Sequence, residues 1–327
     1  MTIAWSLKRI LGAVAALLLV LGVAAGCGSG SGDSNGGGSG GGGGQIALSV
    51  STLDNPFFVD LRDGAQAAAD DSDYELVVGN AQDNASQQQN DIQNFVTQQV
   101  DAILVNPVDA EAIVPAIEQA DNADIPVLAL DREPAGGELV TTISSDNVAG
   151  GRQAGEELIQ VVESGPVAQL EGTPGTSSTR ERGKGFEQAI SDQDAVEVVA
   201  SQSADYDRDE GLNVMQNIIQ ANPDLKGVFA QNDEMALGAV RALGDRAGDE
   251  VTVVGFDATD DGLQAIQDGD MHASVAQNPR RIGELGVENA VSAIDGESVE
   301  SEIPVDVELV TEENVEEYLD SGSTSGG

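Results

Sequence analysis

Short apolar runs rich in Val, Ile, Leu and Ala alternate along this chain with polar stretches of helical period. From Gln45 onward IALSV, YELVVG, AILVNP, PVLALD and TTIS read as strands, since β-branched residues between turn formers favour extended backbone. PVAQLEG, VEVVAS, GVFAQN, VTVVGF and ASVAQ repeat the rhythm, and IPVDVELV reads as one last strand. Helices are predicted over 58–71, 85–99 and 110–121, with a fourth beginning near Asn147. More follow over 178–191, 208–221, 233–243, 260–268 and 280–295. This alternation predicts an α/β fold. The strands are too many for one easy sheet, so two similar lobes are expected. No short-period repeat is visible, so any duplication is structural.

Five of the apolar runs end on a carboxylate or a carboxamide: Asn106, Asp131, Asn232, Asp257 and Gln277. In open α/β sheets, ligands bind just outside the carboxyl ends of the strands. A site lined by such groups is rich in hydrogen-bond donors and acceptors and poor in nucleophiles. It suits a small neutral ligand with many hydroxyls.

Composition sharpens this picture. The formal net charge is -43, from 57 acidic and 14 basic residues. That excess opposes binding to nucleic acid or to anionic membranes, which both want basic patches. A dispersed acidic surface is best tolerated where salt screens its self-repulsion, so a high-salt milieu is expected. Aromatics make up only 3% of the chain, so their placement is informative. Phe256 precedes a strand-end Asp, and Phe57 and Phe58 follow a strand and turn. Adjacent rings in a turn do not easily share one core, which marks Phe57 and Phe58 as ligand-facing candidates.

Residues 1–27 read as an export signal, with Lys8 and Arg9 before an apolar stretch and small residues before Cys27. Cys27 is the only cysteine, which excludes an intrachain disulfide. Its setting after Ala24-Ala25-Gly26 resembles a lipobox, with Ala24 in place of the usual leucine, so Cys27 is the expected lipid attachment point. Residues 28–44 are nearly all Gly and Ser and read as a flexible tether, and 321–327 as a similar disordered tail.

Catalytic motifs do not stand out. GTPGTSSTRERG lacks the spacing of a phosphate loop, and no G-x-G-x-x-G occurs. Arg180 reads as an exposed helix-start residue and Arg182 as functional. Asp131-Arg132 at a strand end can serve a ligand's hydroxyls or pair internally. His272 is the only histidine, so a zinc site is not expected. No cofactor, catalytic residue or metal site is expected.

STLDNPFF, ILVNPVDAEAI, LALDR, SDNVAGG, GTSSTRERGKGF, ADYDR, GLNVMQN, FAQNDEMALGA, VVGFD and SVAQ, in this order, closely resemble the periplasmic D-ribose-binding proteins. These are type I sugar-binding proteins of ABC importers, and the resemblance covers about residues 45–310. It implies two Rossmann-like lobes with parallel sheets, joined by three hinge strands, with the sugar between them. The first lobe would hold 45–145 plus 278–304, and the second 146–277 plus 305–320. It carries sugar contacts over to Asn55, Phe57, Phe58, Asn106, Asp131 and Arg132 on the first lobe. On the second they fall on Arg182, Tyr206, Asn232, Phe256 and Asp257, with Gln277 at the hinge. The family usually has Phe where Tyr206 stands, so its hydroxyl needs a partner or water. Asp54 replaces a common Asn beside the contact set.

The reading is therefore a non-enzymatic, extracytoplasmic receptor of an ABC importer, binding D-ribose and closing on it for a permease. Lipid on Cys27 would anchor it to the outer face of the cytoplasmic membrane, its only membrane contact. A monomer is expected, and a chemotaxis receptor is a further partner the resemblance allows. The alternatives are another monosaccharide (allose, xylose or galactose), a sugar-responsive transcription regulator, or a sugar-modifying enzyme. The export signal, the charge and the missing helix-turn-helix oppose a regulator. The missing nucleophile–base or metal constellation opposes an enzyme.

Overall fold

The computed structural model describes residues 43–191 and 193–320. The export signal, Cys27, all but the end of the tether, and the 321–327 tail lie outside the described residues.

The chain begins with β1 (Gln45–Val50), α1 (Pro56–Asp70), β2 (Glu75–Asn80), α2 (Ala85–Gln98), β3 (Ala102–Val105), α3 (Val114–Asp121), β4 (Val127–Leu130) and β5 (Thr141–Ser145). It continues with α4 (Asn147–Val162), β6 (Gly165–Glu171), α5 (Ser177–Ile190), β7 (Val196–Ser203), α6 (Arg208–Ala221) and β8 (Gly227–Ala230). Then come α7 (Asp233–Leu243), β9 (Thr252–Asp257), α8 (Asp260–Asp268), β10 (Ala273–Ala276) and α9 (Pro279–Ile294). It closes with β11 (Glu302–Val305), β12 (Glu308–Thr311) and α10 (Val315–Asp320).

Two six-stranded sheets result, ordered β11-β5-β4-β3-β1-β2 and β12-β10-β9-β8-β6-β7. The two orders correspond strand for strand, which is the structural duplication expected without a sequence repeat. All strand pairs are parallel except β10–β12. Such sheets need helices on both faces. Around the first sheet, Leu61 of α1 and Ile282 of α9 pack on one face. Ile92 and Phe95 of α2 pack on the other with Ile117 of α3. The second sheet is covered likewise, by Met215 and Met235 on one side and Leu158 and Phe186 on the other. Strands β3, β4, β8 and β10 are buried along their whole length, which explains their uninterrupted apolar character.

Two local expectations need correction, and one element is new. IPVDVELV is not one strand: β11 pairs with β5 in one sheet and β12 with β10 in the other. An apolar alternation continues across a change of partner, because both halves bury similar side chains. Helix α3 starts at Val114 rather than 110, because the Asp109 carboxylate first holds a turn by accepting from the amides of Glu111 and Ala112. Pro115, lacking an N–H, is well placed only in the first turn. The short α10 was not anticipated; Val315 anchors it in the second lobe's core.

Candidate functional site

On the first sheet the site is built at the carboxyl ends of β1, β3 and β4. Asn55 caps α1 by accepting from the Phe57 amide at 2.9 Å, which brings both phenylalanines into the first helical turn. Their rings meet edge to face at 5.1 Å, and both join the same apolar cluster. This corrects the expectation that neighbouring rings would not share a core: in a helix, adjacent side chains diverge enough for one edge to meet the other face. Asn106 is fully buried; its Oδ1 accepts from the Ser51 amide at 3.2 Å and its Nδ2 donates to Asp131 Oδ2 at 3.1 Å. Asp131 has φ 64°, a left-handed conformation. Burial pushes its carboxyl above the ordinary range, against the pull of Arg132 and Arg182. Arg132 donates to the Pro107 carbonyl and its guanidinium lies 5.2 Å from the Phe58 centroid. Its Nε stands 3.6 Å from Asp131 Oδ2, an ion pair but too long for a hydrogen bond.

The second half comes from the ends of β8, β9 and β10, from α5 and from the segment leading into α6. Arg182 is buried, while Arg180 is exposed on the same helix. Its Nε donates to Asn147 Oδ1 at 2.8 Å and its Nη1 to the Gln231 carbonyl at 2.6 Å. The guanidinium lies 3.9 Å from the Phe256 centroid and 3.6 Å from Asp257 Oδ1. Helices α4 and α5 approach closely at this point: a Cβ on Gly151 would lie 2.1 Å from the Arg182 carbonyl oxygen. Asn232 caps α7 through the Met235 amide and donates to the Tyr206 carbonyl at 3.3 Å. Asp257 accepts from Gln277 Nε2 at 2.5 Å. Burial drives its carboxyl well above the ordinary range; Arg182 opposes this, and Asp233 and Asp131 add to it.

The Tyr206 hydroxyl finds its partners within the protein. It accepts from Thr179 Oγ1 at 2.9 Å and donates to Ser178 Oγ at 3.2 Å. Space for the ring comes from Gly172, where a Cβ would sit 2.0 Å from Tyr206 Cζ.

The two halves face each other. The Arg132 guanidinium lies 5.6 Å from the Tyr206 centroid, and the Glu133 amide donates to Ser177 Oγ at 2.8 Å. A cavity of about 230 Å³ lies between them, lined by Asn55, Phe58 and Arg132 on one side and Tyr206 on the other. A second, of about 780 Å³, is lined by Phe57 on one side and Asp257 on the other. All twelve expected residues thus cluster around the interface of the two sheets. Several buried polar atoms there have no hydrogen-bond partner: Asp131 Oδ1, Arg132 Nε, Gln277 Oε1, and Ser51 Oγ beside Asn106. Among the described residues four other such atoms occur, on Asp91, Ser145, Gln169 and Arg280; buried polar groups are ordinarily paired, so the four at the interface are groups able to bond a ligand. Sequence reasoning did not reach Ser51, Asn147, Gln231, Ser178 or Thr179. All five lie inside the motifs quoted above, but no periodicity separates them from their neighbours.

Among the described residues no group of three or more His, Cys, Asp or Glu is arranged to hold a metal ion. His272 instead pairs with Glu157 at 2.6 Å.

Residues 46–298 match the model of the periplasmic binding protein domain family. The ribose import binding protein RbsB of Escherichia coli K12 is 48% identical over 269 residues, covering 82% of this chain and 90% of that protein. Its Bacillus subtilis 168 counterpart is 44% identical over 268 residues, covering 82% and 87%. Among solved structures, an ABC transporter periplasmic solute binding protein from Actinobacillus succinogenes 130z with bound D-allose has a TM-score of 0.79 at 34% identity. It covers 84% of this chain and 100% of its own. With two corresponding sheets, a polar cleft between them and this extent of likeness, the chain belongs to the periplasmic binding protein family.

Proposed function

We propose that this protein is the extracytoplasmic substrate-binding component of an ABC sugar importer, and that it binds D-ribose between its lobes for delivery to the permease. The observation that carries the reading is the pairing of aromatic faces with orphaned, buried planar polar atoms at one interface. Phe58 and Tyr206 line the cavity between the halves and offer rings to the C–H surfaces of a sugar, while Phe256 carries the Arg182 guanidinium over its ring. Asp131 Oδ1 and Gln277 Oε1 are free to accept from its hydroxyls, and Arg132 Nε to donate to them. A site that pairs every hydroxyl rejects isomers that leave buried groups unmatched. The choice of ribose rests on the relatives of 44–48% identity that carry its name. Those relatives are binding proteins, and this chain is read as one and not as an enzyme.

The contact residues are the six from Asn55 to Arg132 on the first lobe, and Arg182, Tyr206, Asn232, Phe256 and Asp257 on the second, with Gln277 at the hinge. The lobes are assigned as 45–145 plus 278–304 and 146–277 plus 305–320. Neither half completes the site, so the sugar favours the closed form through contacts made only there. Acylation of Cys27 after removal of the export signal would tether the protein to the outer face of the cytoplasmic membrane. Mass spectrometry of the membrane fraction tests this: an unmodified cysteine excludes the anchor.

Calorimetric titration at molar salt with ribose, allose, xylose and galactose tests the ligand. Ribose is expected to bind most tightly. Binding of a hexose without ribose overturns the assignment.

A further inference from the structure

One buried carboxylate beside the cleft lines neither of its cavities. Asp233, the first residue of α7, is fully buried. Its Oδ2 accepts from the Thr259 amide at 2.8 Å and from the Thr259 hydroxyl at 3.2 Å. Its Oδ1 accepts from Ser274 Oγ at 2.7 Å, and that hydroxyl oxygen in turn accepts from the Ala258 amide at 3.0 Å. Two consecutive amides are therefore held, one by Asp233 itself and one through Ser274.

Those amides belong to the segment that sets the direction of Asp257. Asp257 has φ 109° and Ala258 φ 51°, and neither is glycine. Such backbone is strained and persists only where the surroundings over-determine it. Asp233 and Ser274 are the groups that do so here. The carboxylate is fitted to its place: a Cβ on Gly255 would lie 2.2 Å from Asp233 Oδ1, and one on Gly262 2.2 Å from Oδ2. Thr259 carries the hold into α8, whose Gly262 amide donates to its hydroxyl at 3.2 Å.

We propose that Asp233 is a positioning residue for ligand binding: with Ser274 it holds the Asp257–Thr259 turn in its left-handed conformation and so sets the Asp257 carboxylate against Gln277 and Arg182. This rests on the reading of the cleft as a sugar site. Asp233 acts without touching the sugar, through three accepted hydrogen bonds; an amide of the same shape has one accepting oxygen and cannot accept on both the Thr259 and the Ser274 side.

The test is a double-substitution cycle on the full protein, read by calorimetric titration with D-ribose alongside thermal unfolding. Asp233→Asn is expected to weaken ribose binding by about tenfold or more while unfolding stays cooperative. In an Asp257→Asn background the same change is expected to add less than about twofold, since its effect runs through Asp257. Ser274→Ala, which removes only the relay to the Ala258 amide, is expected to show the same non-additivity with a smaller loss, and it decides the matter if Asp233→Asn does not fold. Unchanged affinity in the single variants overturns the positioning role, as do losses that simply add to that of Asp257→Asn. A wild-type protein that binds no sugar overturns the reading beneath it, a result distinct from either.

Discussion

The Arg132 guanidinium lies 5.6 Å from the centroid of the Tyr206 ring, although Arg132 follows β4 of one sheet and Tyr206 precedes α6 over the other. The contact exists only when the two halves meet, so it belongs to the closed form. Arg132 also lies over Phe58, on its own side of the cleft. Arg132→Ala is therefore expected to weaken ribose binding by at least about 1 kcal/mol, through the lost cation–π contact and a lost donor to the sugar. Calorimetry against wild type checks it; equal affinities would remove Arg132 from the site.

Arg182 is held by Asn147 and Gln231 and stands beside the buried Asp257. Arg182→Ala is expected to cost more than about 1.5 kcal/mol in ribose affinity, because a charged donor is lost and Asp257 is left without a counter-charge. Arg180→Ala is the control, since that side chain is exposed, and is expected to leave affinity unchanged.

Tyr206 spends its hydroxyl on Thr179 and Ser178, which leaves the ring as its offering to the cleft. Tyr206→Phe is expected to keep ribose affinity within a few fold and to lower stability by about 1 kcal/mol, measured by denaturant unfolding. Gly172→Ala is expected to do more harm to binding, since the added methyl meets the ring and must displace it. Similar affinities for Gly172→Ala and wild type would show that ring placement does not matter.

Burial raises the Asp233 carboxyl from its ordinary range to about 7, while the bonds from Ser274 and Thr259 work in the opposite sense. A group with a raised folded-state pKa binds its proton more tightly when folded. Its contribution to stability is then full below the unfolded value near 4 and is lost as pH rises through about 7. The sugar-free protein is expected to lose stability as pH rises from about 4 to about 7, with Asp131 and Asp257, both raised by burial, contributing in the same sense. Thermal melts across that range check it. Asp233→Asn should flatten the slope, and an unchanged slope would assign the pH dependence elsewhere.

The formal net charge of -43 predicts a further dependence on salt. Raising KCl from ~0.1 M to ~1 M shortens the screening length from about 10 Å to about 3 Å and should raise the unfolding midpoint markedly. Undiminished stability at low salt would argue that the acidic surface needs no such milieu.

Much of the fold was legible because buried parallel strands are apolar on both faces and end abruptly at turns. AILV and GVFA announce themselves as strands, and Asn106 and Asn232 follow them as polar stops. The segment 303–310 was not legible as two strands, because hydrophobic alternation reports burial and not the identity of the pairing sheet. The twelve expected site residues stand at strand ends, helix starts and motif positions, where polar groups in an apolar context are conspicuous. Asn147 and Thr179 were hidden because a helix N-terminus favours such residues whatever else they do.

The sequence by itself determined the alternation of elements, the two-lobed α/β class, and the gathering of carboxylates and carboxamides at strand ends, since these follow from local pattern and from the rule that such ends share one side of a sheet. Only the tertiary structure decided which groups are already satisfied and which remain open. Tyr206 has its hydroxyl bonded, Asp131 and Gln277 each keep an oxygen unpaired, and Asp233 accepts from the Thr259 amide and from Ser274. Hydrogen-bond satisfaction depends on contacts between residues far apart in the chain, and these exist only once the two sheets have been brought together.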